Sequence, residues 1–247
     1  MTGIAVFGCE GRMGRQVCAE APEHGFEVLA RYDMAVSSPS GRLPTGVRVV
    51  IDFSAPAAFD SLGALLGGHP AGLVSGTTGL GSREKALLAE WSASRAVFHS
   101  PNMSMGIHVL CRLVFEAARL LGDRIDLEIV EAHHRGKADS PSGTALKLLE
   151  SWAGGSGHTP RPVYGRSGRM GPRGKDEAGV HSVRGGDVAG DHDVHLLGDG
   201  ERLLLAHRAS GRRTFALGAL SAARFVDGRP PGLYGMDDLV AEHGRDV

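Results

Sequence analysis

Short apolar runs alternate with helical segments through the first hundred residues, and this alternation constrains the fold more than any other feature of the chain. Residues 3–8 form an apolar run too short for a helix and read as a buried strand. A helix is expected over 12–21, a second strand over 26–30 that ends at Asp33, and a third over 47–53 around Val49-Val50-Ile51. Residues 71–75 and 96–99 read as a fourth and a fifth strand, with helices over 56–66 and 82–94. Strands alternating with helices specify βαβ units and a parallel sheet, joined by right-handed crossovers. Glycine fits this plan: it is 37 of 247 residues, roughly twice the usual share, and much of it punctuates the periodic segments.

The rhythm then changes. Ile107, Leu110, Cys111, Val114, Ala118 and Leu121 recur at helical spacing, so 104–121 reads as one long amphipathic helix. Beyond it, 127–133, 194–197 and 202–208 read as strands that pair directly, the last two as a hairpin around Gly198-Asp199-Gly200. Strands without intervening helices imply an antiparallel or mixed sheet. Residues 154–179, rich in Gly, Pro, Arg and Ser, read as a long surface loop. A last helix around 215–225 is expected to return to the first domain. The plan is α/β, with domains over 1–104, 105–212 and a C-terminal return over 213–247.

Composition excludes several function classes. Lys+Arg 27 against Asp+Glu 28 leaves a net charge of −1, without the electrostatic footprint of a nucleic-acid binder. No apolar run approaches the ~20 residues of a membrane span, and Met1-Thr2-Gly3-Ile4 carries no basic leader, so no secretory signal is expected. Three widely spaced cysteines, Cys9, Cys18 and Cys111, suit a reducing compartment better than a disulfide framework.

Gly8-Cys9-Glu10-Gly11-Arg12-Met13-Gly14 lies between the first strand and the first helix. This G-x-x-G-x-x-G is a variant of the dinucleotide fingerprint, whose glycines allow a tight turn and close approach to a pyrophosphate at a helix N-terminus. Asp33 ends the second strand 19 residues beyond Gly14, where a carboxylate binds ribose hydroxyls. The first domain is therefore expected to be of Rossmann type, with an inserted α+β domain on a mixed sheet. Gly76-Thr77-Thr78-Gly79 and Ser100-Pro101-Asn102-Met103 follow the fourth and fifth strands. Ligands bind at such C-terminal strand ends, and small residues there suit a flat nicotinamide ring.

The segment from Glu131 to Ala145 (EAHHRGKADSPSGTA) leaves a strand and enters a helix. His133, His134, Arg135 and Lys137 make a cationic pocket edge, and Ser142 or Ser140 is placed to cap the helix. A helix N-terminus with hydroxyls suits a carboxylate or phosphate, so a small anion is the expected ligand. No metal site is expected, because adjacent strand residues such as His133 and His134 point to opposite faces.

These motifs, with Asp52-Phe53-Ser54 and the later Arg184-x-Gly186-Asp187-x-x-Gly190-Asp191-His192 and His207-Arg208-Ala209-Ser210-x-Arg212-x-Thr214-Phe215, resemble the 4-hydroxy-tetrahydrodipicolinate reductase (dihydrodipicolinate reductase) family over essentially the whole chain. The most specific element is Glu131-Ala132-His133-His134-x-x-Lys137-x-Asp139-x-Pro141-Ser142-Gly143-Thr144-Ala145. The resemblance implies a cytoplasmic homotetramer of lysine and diaminopimelate biosynthesis that uses NADH or NADPH to reduce a cyclic, unsaturated dicarboxylate to tetrahydrodipicolinate. Carried over by position, it assigns the pyrophosphate to Gly8, Cys9, Glu10, Gly11, Arg12 and Met13, and the adenosine ribose to Asp33. It assigns the nicotinamide to Gly76, Thr77, Thr78, Ser100, Pro101, Asn102 and Met103. It makes His133 a proton donor or acceptor and Lys137 the proton donor, with His134, Ser142, Gly143, Thr144 and Arg212 on the substrate. Two residues depart from the family pattern: Glu10 puts a negative charge in the phosphate loop, and Gly136 stands where a bulkier residue is common. A different nicotinamide oxidoreductase of the same architecture, or a non-catalytic dinucleotide sensor, are the rival readings. The intact His133/Lys137 set argues against the sensor.

Overall fold

The computed structural model describes residues 1–33 and 42–243; Met34, which follows the ribose-binding candidate Asp33, lies outside them. In chain order the elements begin with β1 (Thr2–Phe7), α1 (Arg12–Glu20), β2 (Phe26–Tyr32), β3 (Val47–Asp52), α2 (Phe59–Leu66), β4 (Gly72–Ser75), α3 (Ser82–Ser92) and β5 (Ala96–His99). They continue with α4 (Met105–Leu121), β6 (Asp126–His133), α5 (Gly143–Ser156), β7 (Arg161–Val163), β8 (Glu177–Arg184), β9 (Asp191–Leu197) and β10 (Arg202–Arg208). The chain closes with α6 (Arg213–Val226), β11 (Gly232–Tyr234) and α7 (Met236–His243). It divides into two compact units, Met1–Met105 with Arg212–Val247, and Gly106–Gly211.

The first unit is built on a six-stranded sheet in the order β11-β5-β4-β3-β1-β2, parallel throughout. Its central strands are apolar at nearly every position because both faces are covered. Along β1, Ile4 and Val6 pack with α1 and α6, while Ala5 and Phe7 pack with α2 and α3. The two-residue side-chain period of a strand makes that division. Small residues let α6 approach closely: Ala216, Gly218, Ala219, Ala222 and Ala223 are all buried. A β-carbon on Gly218 would overlap the Met103 carbonyl oxygen.

The second unit has a five-stranded sheet in the order β10-β9-β6-β8-β7. β6 runs parallel to β8 and antiparallel to β9, so the sheet is mixed. One face carries Leu127 and Ile129 of β6, Ala178 and Val180 of β8, and Val194 and Leu196 of β9, packed with Leu110 and Val114 of α4 and Leu148 and Trp152 of α5.

The expected loop over 154–179 is wrong at both ends. α5 runs on to Ser156, β7 occupies Arg161–Val163, and β8 starts at Glu177. Two of the glycines that suggested a loop sit at close approaches instead. A β-carbon on Gly155 would overlap the Phe115 carbonyl of α4, and one on Gly179 would overlap the Glu128 carboxylate of the neighbouring strand. β8, β11 and α7 were not expected from the sequence. No helix among the described residues is long and apolar enough to cross a membrane.

Candidate active site

Chemistry-bearing residues gather at one place in each unit. In the first, β1 leads into Gly8, whose φ of 81° favours glycine. A β-carbon there would stand 2.6 Å from the Phe53 carbonyl oxygen. The Gly8 and Cys9 amides both donate to the Tyr32 carbonyl at 2.8 and 3.1 Å, pinning the turn to β2. Gly11 caps α1 without any side-chain bond, and a β-carbon on Gly14 would overlap the Gly8 carbonyl. The result is a backbone cradle at a helix N-terminus with no side-chain cap, which fits a pyrophosphate. Asp33 closes the turn, accepting the Glu10 amide at 3.0 Å. Arg12 is exposed and Met13 half-buried. Burial first, then the Glu10 and Asp33 carboxylates, push the Cys9 thiol upward, so it stays protonated. The Glu10 charge meets Arg15 at 3.0 Å.

The C-terminal ends of β3, β4 and β5 hold the second group. Asp52 is fully buried and accepts the Ser54 amide and hydroxyl at 3.0 and 2.6 Å and the Ser75 and Thr77 hydroxyls, both at 2.8 Å. Burial raises its pKa and these four bonds oppose the rise. The carboxylate thereby anchors Thr77 beside Gly76, which lies against the Phe53 ring. Thr78 is exposed. The Ser100 hydroxyl donates to the Asn102 carbonyl at 2.6 Å, shaping the next turn. Pro101 is exposed, whereas Met103 is 1% exposed and belongs to the core.

In the second unit the covered face of the mixed sheet turns from apolar to polar toward the end of β6, where Glu131 and His133 continue the row of Leu127 and Ile129. The Glu131 carboxylate accepts from His133 Nδ1 at 2.6 Å, from the Ser142 amide at 3.1 Å, and from Arg184 at 2.7 and 2.8 Å. Burial opposes ionisation, but the bonds from Arg184, Ser182 and His133 win and hold its pKa at about 2. Burial outweighs the Glu131 contact at His133 and lowers its pKa. His192 stands edge-on to His133, with ring centroids 5.2 Å apart, and its Nε2 is 3.2 Å from Ser142 Oγ. Burial pushes His192 down to about 3.

Ser142, not Ser140, caps α5, accepting the Ala145 amide at 3.2 Å. Gly143 is exposed and Thr144 half-buried in its first turn. Lys137 pairs with Asp139 at 2.8 Å, and Arg184 also donates to the Asp139 carbonyl at 2.7 Å. The His134 amide donates to the Val188 carbonyl at 2.8 Å. Arg212 falls in the first unit, exposed at the N-cap of α6. Glu131, Arg184, His192 and Asp52 stand in the motifs that carry the resemblance, but the sequence assigns them no function. The available signal was a charge at an inward position of an apolar strand, which demands a partner. No group of three or more His, Cys, Asp or Glu among the described residues could hold a metal ion.

Family models for the dihydrodipicolinate reductase N-terminus and C-terminus match residues 2–103 and 106–240. The chain belongs to the dihydrodipicolinate reductase family. Like that family it is an NAD(P)H-dependent oxidoreductase with a Rossmann-type domain. A 4-hydroxy-tetrahydrodipicolinate reductase of Halorhodospira halophila is 40% identical across 96% of this chain and 98% of its own. That of Rubrobacter xylanophilus is 41% identical across 98% and 99%. A dipicolinate-bound dihydrodipicolinate reductase from Paenisporosarcina shares the fold at a TM-score of 0.72 and 22% identity, covering 96% of this chain and 99% of that one. An amine dehydrogenase from Mycobacterium smegmatis shares the fold more loosely, at a TM-score of 0.59 and 12% identity.

Proposed function

We propose that this chain reduces the 4-hydroxy-tetrahydrodipicolinate or dihydrodipicolinate dicarboxylate to tetrahydrodipicolinate, in lysine and diaminopimelate biosynthesis, with His133 and Lys137 handling the proton. The observation that carries this reading is the grouping of His133 and the α5 N-terminus around one buried carboxylate, Glu131, whose partner Arg184 also holds the turn bearing Lys137 and Asp139. Cations, hydroxyls and helix amides together suit a small dicarboxylate.

Bound NADH or NADPH supplies a hydride. The backbone from Gly8 to Met13 holds its pyrophosphate, Asp33 its adenosine ribose, and the turns at Gly76-Thr77-Thr78 and at Ser100, Pro101, Asn102 and Met103 its nicotinamide. Met103 serves through its backbone, since its side chain is buried. His134, Ser142, Gly143 and Thr144 bind the substrate carboxylates. The hydroxylated dicarboxylate loses water to become a conjugated imine, and that imine becomes electron-rich on gaining a hydride and must collect a proton. Lys137 donates it, and His133 exchanges protons at the same site; a positioned acid contributes ~10²–10⁴-fold. The cations also offset the carboxylate charges as the acceptor gains electrons.

The face of the mixed sheet turned away from α4 and α5 leaves Val183 and Leu204 more than half exposed. That apolar surface supports association through this sheet into a cytoplasmic homotetramer. Light scattering should give a mass near four times 25.9 kDa; a concentration-independent monomer refutes the assembly. The reaction is tested by supplying the condensation product of pyruvate and aspartate semialdehyde and following nicotinamide absorbance. Turnover with an amino acid instead would favour a dehydrogenase of the same architecture.

A further inference from the structure

Glu131 is fully buried on the same face of β6 as Leu127 and Ile129. A buried carboxylate and its ion-pair partner that only supported the sheet could be replaced together by apolar side chains, often without loss of stability. Its four short contacts point to a more specific task. Arg184 meets it with two parallel N–H donors, at 2.7 Å on Oε2 and 2.8 Å on Oε1. This bidentate geometry is the strong form of the pair.

We propose that Glu131 is a positioning residue for the reaction: it holds the proton of His133 on Nδ1 and thereby makes Nε2 the nitrogen through which His133 exchanges protons. The inference rests on the reading of His133 as a proton-transfer group. An ionised carboxylate only accepts hydrogen bonds, so the 2.6 Å contact requires a proton on Nδ1. Arg184 keeps Glu131 ionised, with a pKa of about 2.

The opposite edge of the ring faces Gly190. A β-carbon there would lie 3.0 Å from His133 Nε2, and the φ of 152° belongs to glycine. A side chain at this position would crowd the Nε2 edge. The His192 ring, edge-on at 5.2 Å, limits the tilt of the imidazole.

The charged and titratable groups facing His133 are Glu131 on its own strand, Arg184 on β8, His192 on β9 and Lys137 on the following turn. Burial, Lys137 and Arg184 favour the neutral ring, while Glu131 supports the imidazolium. A ring so held takes up a proton at Nε2 and returns it without rotating. The other Glu131 oxygen accepts the Ser142 amide, so one carboxylate sets the exchanging nitrogen and the α5 N-terminus relative to each other.

Imidazole ¹⁵N spectra of the full chain, labelled at histidine and saturated with NADH, report which nitrogen of His133 carries the proton. The expected result is Nδ1 in the wild type and a mixture of both tautomers in Glu131→Gln. Glu131→Gln should also lose kcat by ~10-fold or more, a larger change than the one in KM for the dicarboxylate. The acid limb of its kcat profile should move to lower pH. A wild-type proton on Nε2 overturns the proposal, and this spectrum decides the point even where the variant does not fold. A folded Glu131→Gln that keeps the Nδ1 proton and wild-type kcat overturns it as well. His133→Ala, run alongside, separates the two levels. Full kcat in that variant refutes the proton-transfer reading itself, whatever the tautomer.

Discussion

Lys137 and His133 occupy different electrostatic settings, and their variants should behave differently from those of the anion-binding residues. Lys137 pairs with exposed Asp139 at 2.8 Å, whereas His133 is buried, bonded to Glu131 and biased toward the neutral ring. Lys137→Ala and His133→Ala should each lower kcat by ~10²-fold or more, on the scale of general acid catalysis. His134→Ala and Thr144→Ala should mainly raise KM for the dicarboxylate, because they act equally on ground and transition states. Near wild-type kcat in both of the first pair, with folding intact by circular dichroism, would leave the pocket as a binding site only. Asp33 makes the cofactor prediction. Its carboxylate, fixed by the Glu10 amide, favours a free 2′-hydroxyl and repels a 2′-phosphate. NADH should be used at least as well as NADPH. A tenfold preference for NADPH in kcat/KM, about 1.4 kcal/mol, would contradict this.

At the scale of elements, α6 is the tie between the last part of the chain and the cofactor turns. Its row of small residues lies against the sheet, and Gly218 meets the Met103 carbonyl with no room for a side chain. Ala is ordinarily the better helix former by roughly 1 kcal/mol. Here the overlap is with backbone, which cannot swing aside. Gly218→Ala should therefore be destabilising, by ~1–3 kcal/mol. For a chain of this length each kcal/mol lowers Tm by roughly 2–4 °C. The same shift should displace the turn at Ser100, Pro101 and Asn102 and raise KM for NADH. An unchanged melting temperature would show that α6 is not packed against that turn.

At the scale of the whole molecule, pH sensitivity is carried by buried and half-buried histidines and by Glu131. Burial lowers the pKa of His99, His133, His192 and His207, and takes His192 from 6.5 to about 3. Below pH 6.5 the unfolded chain takes up a proton at His192 that the folded chain refuses until about pH 3. Folding stability then falls as pH drops through that window, by up to about 1.4 kcal/mol per pH unit for one such group. Glu131 acts in the same direction at lower pH: its contribution is complete above 4.5 and is lost as pH falls toward about 2. Denaturant unfolding should show stability declining from pH 6.5 to 5, before most carboxylates titrate. His192→Asn, where it folds, should flatten the decline. A stability flat over that range would mean that His192 protonates freely in the folded protein.

The first half of the parallel domain was legible because its signals are local. A strand, a glycine turn and a helix start lie within Gly3 to Gly14, and the covered faces of β1 and β3 leave their apolar runs unmistakable. The Ser142 cap was likewise within reach, since it acts on Ala145 three residues away. Tertiary structure alone decided the rest. Gly155 and Gly179 look like loop residues until the Phe115 carbonyl and the Glu128 carboxylate are set beside them. Arg184 reaches Glu131 across 53 residues of chain because the β6–β8 register places Arg184 opposite His133. Composition and period specify which face of a strand is buried, and the chain's own glycines and motifs specify its family and its cofactor. Which charges meet on that buried face depends on strand pairing, a non-local choice that no window of sequence contains.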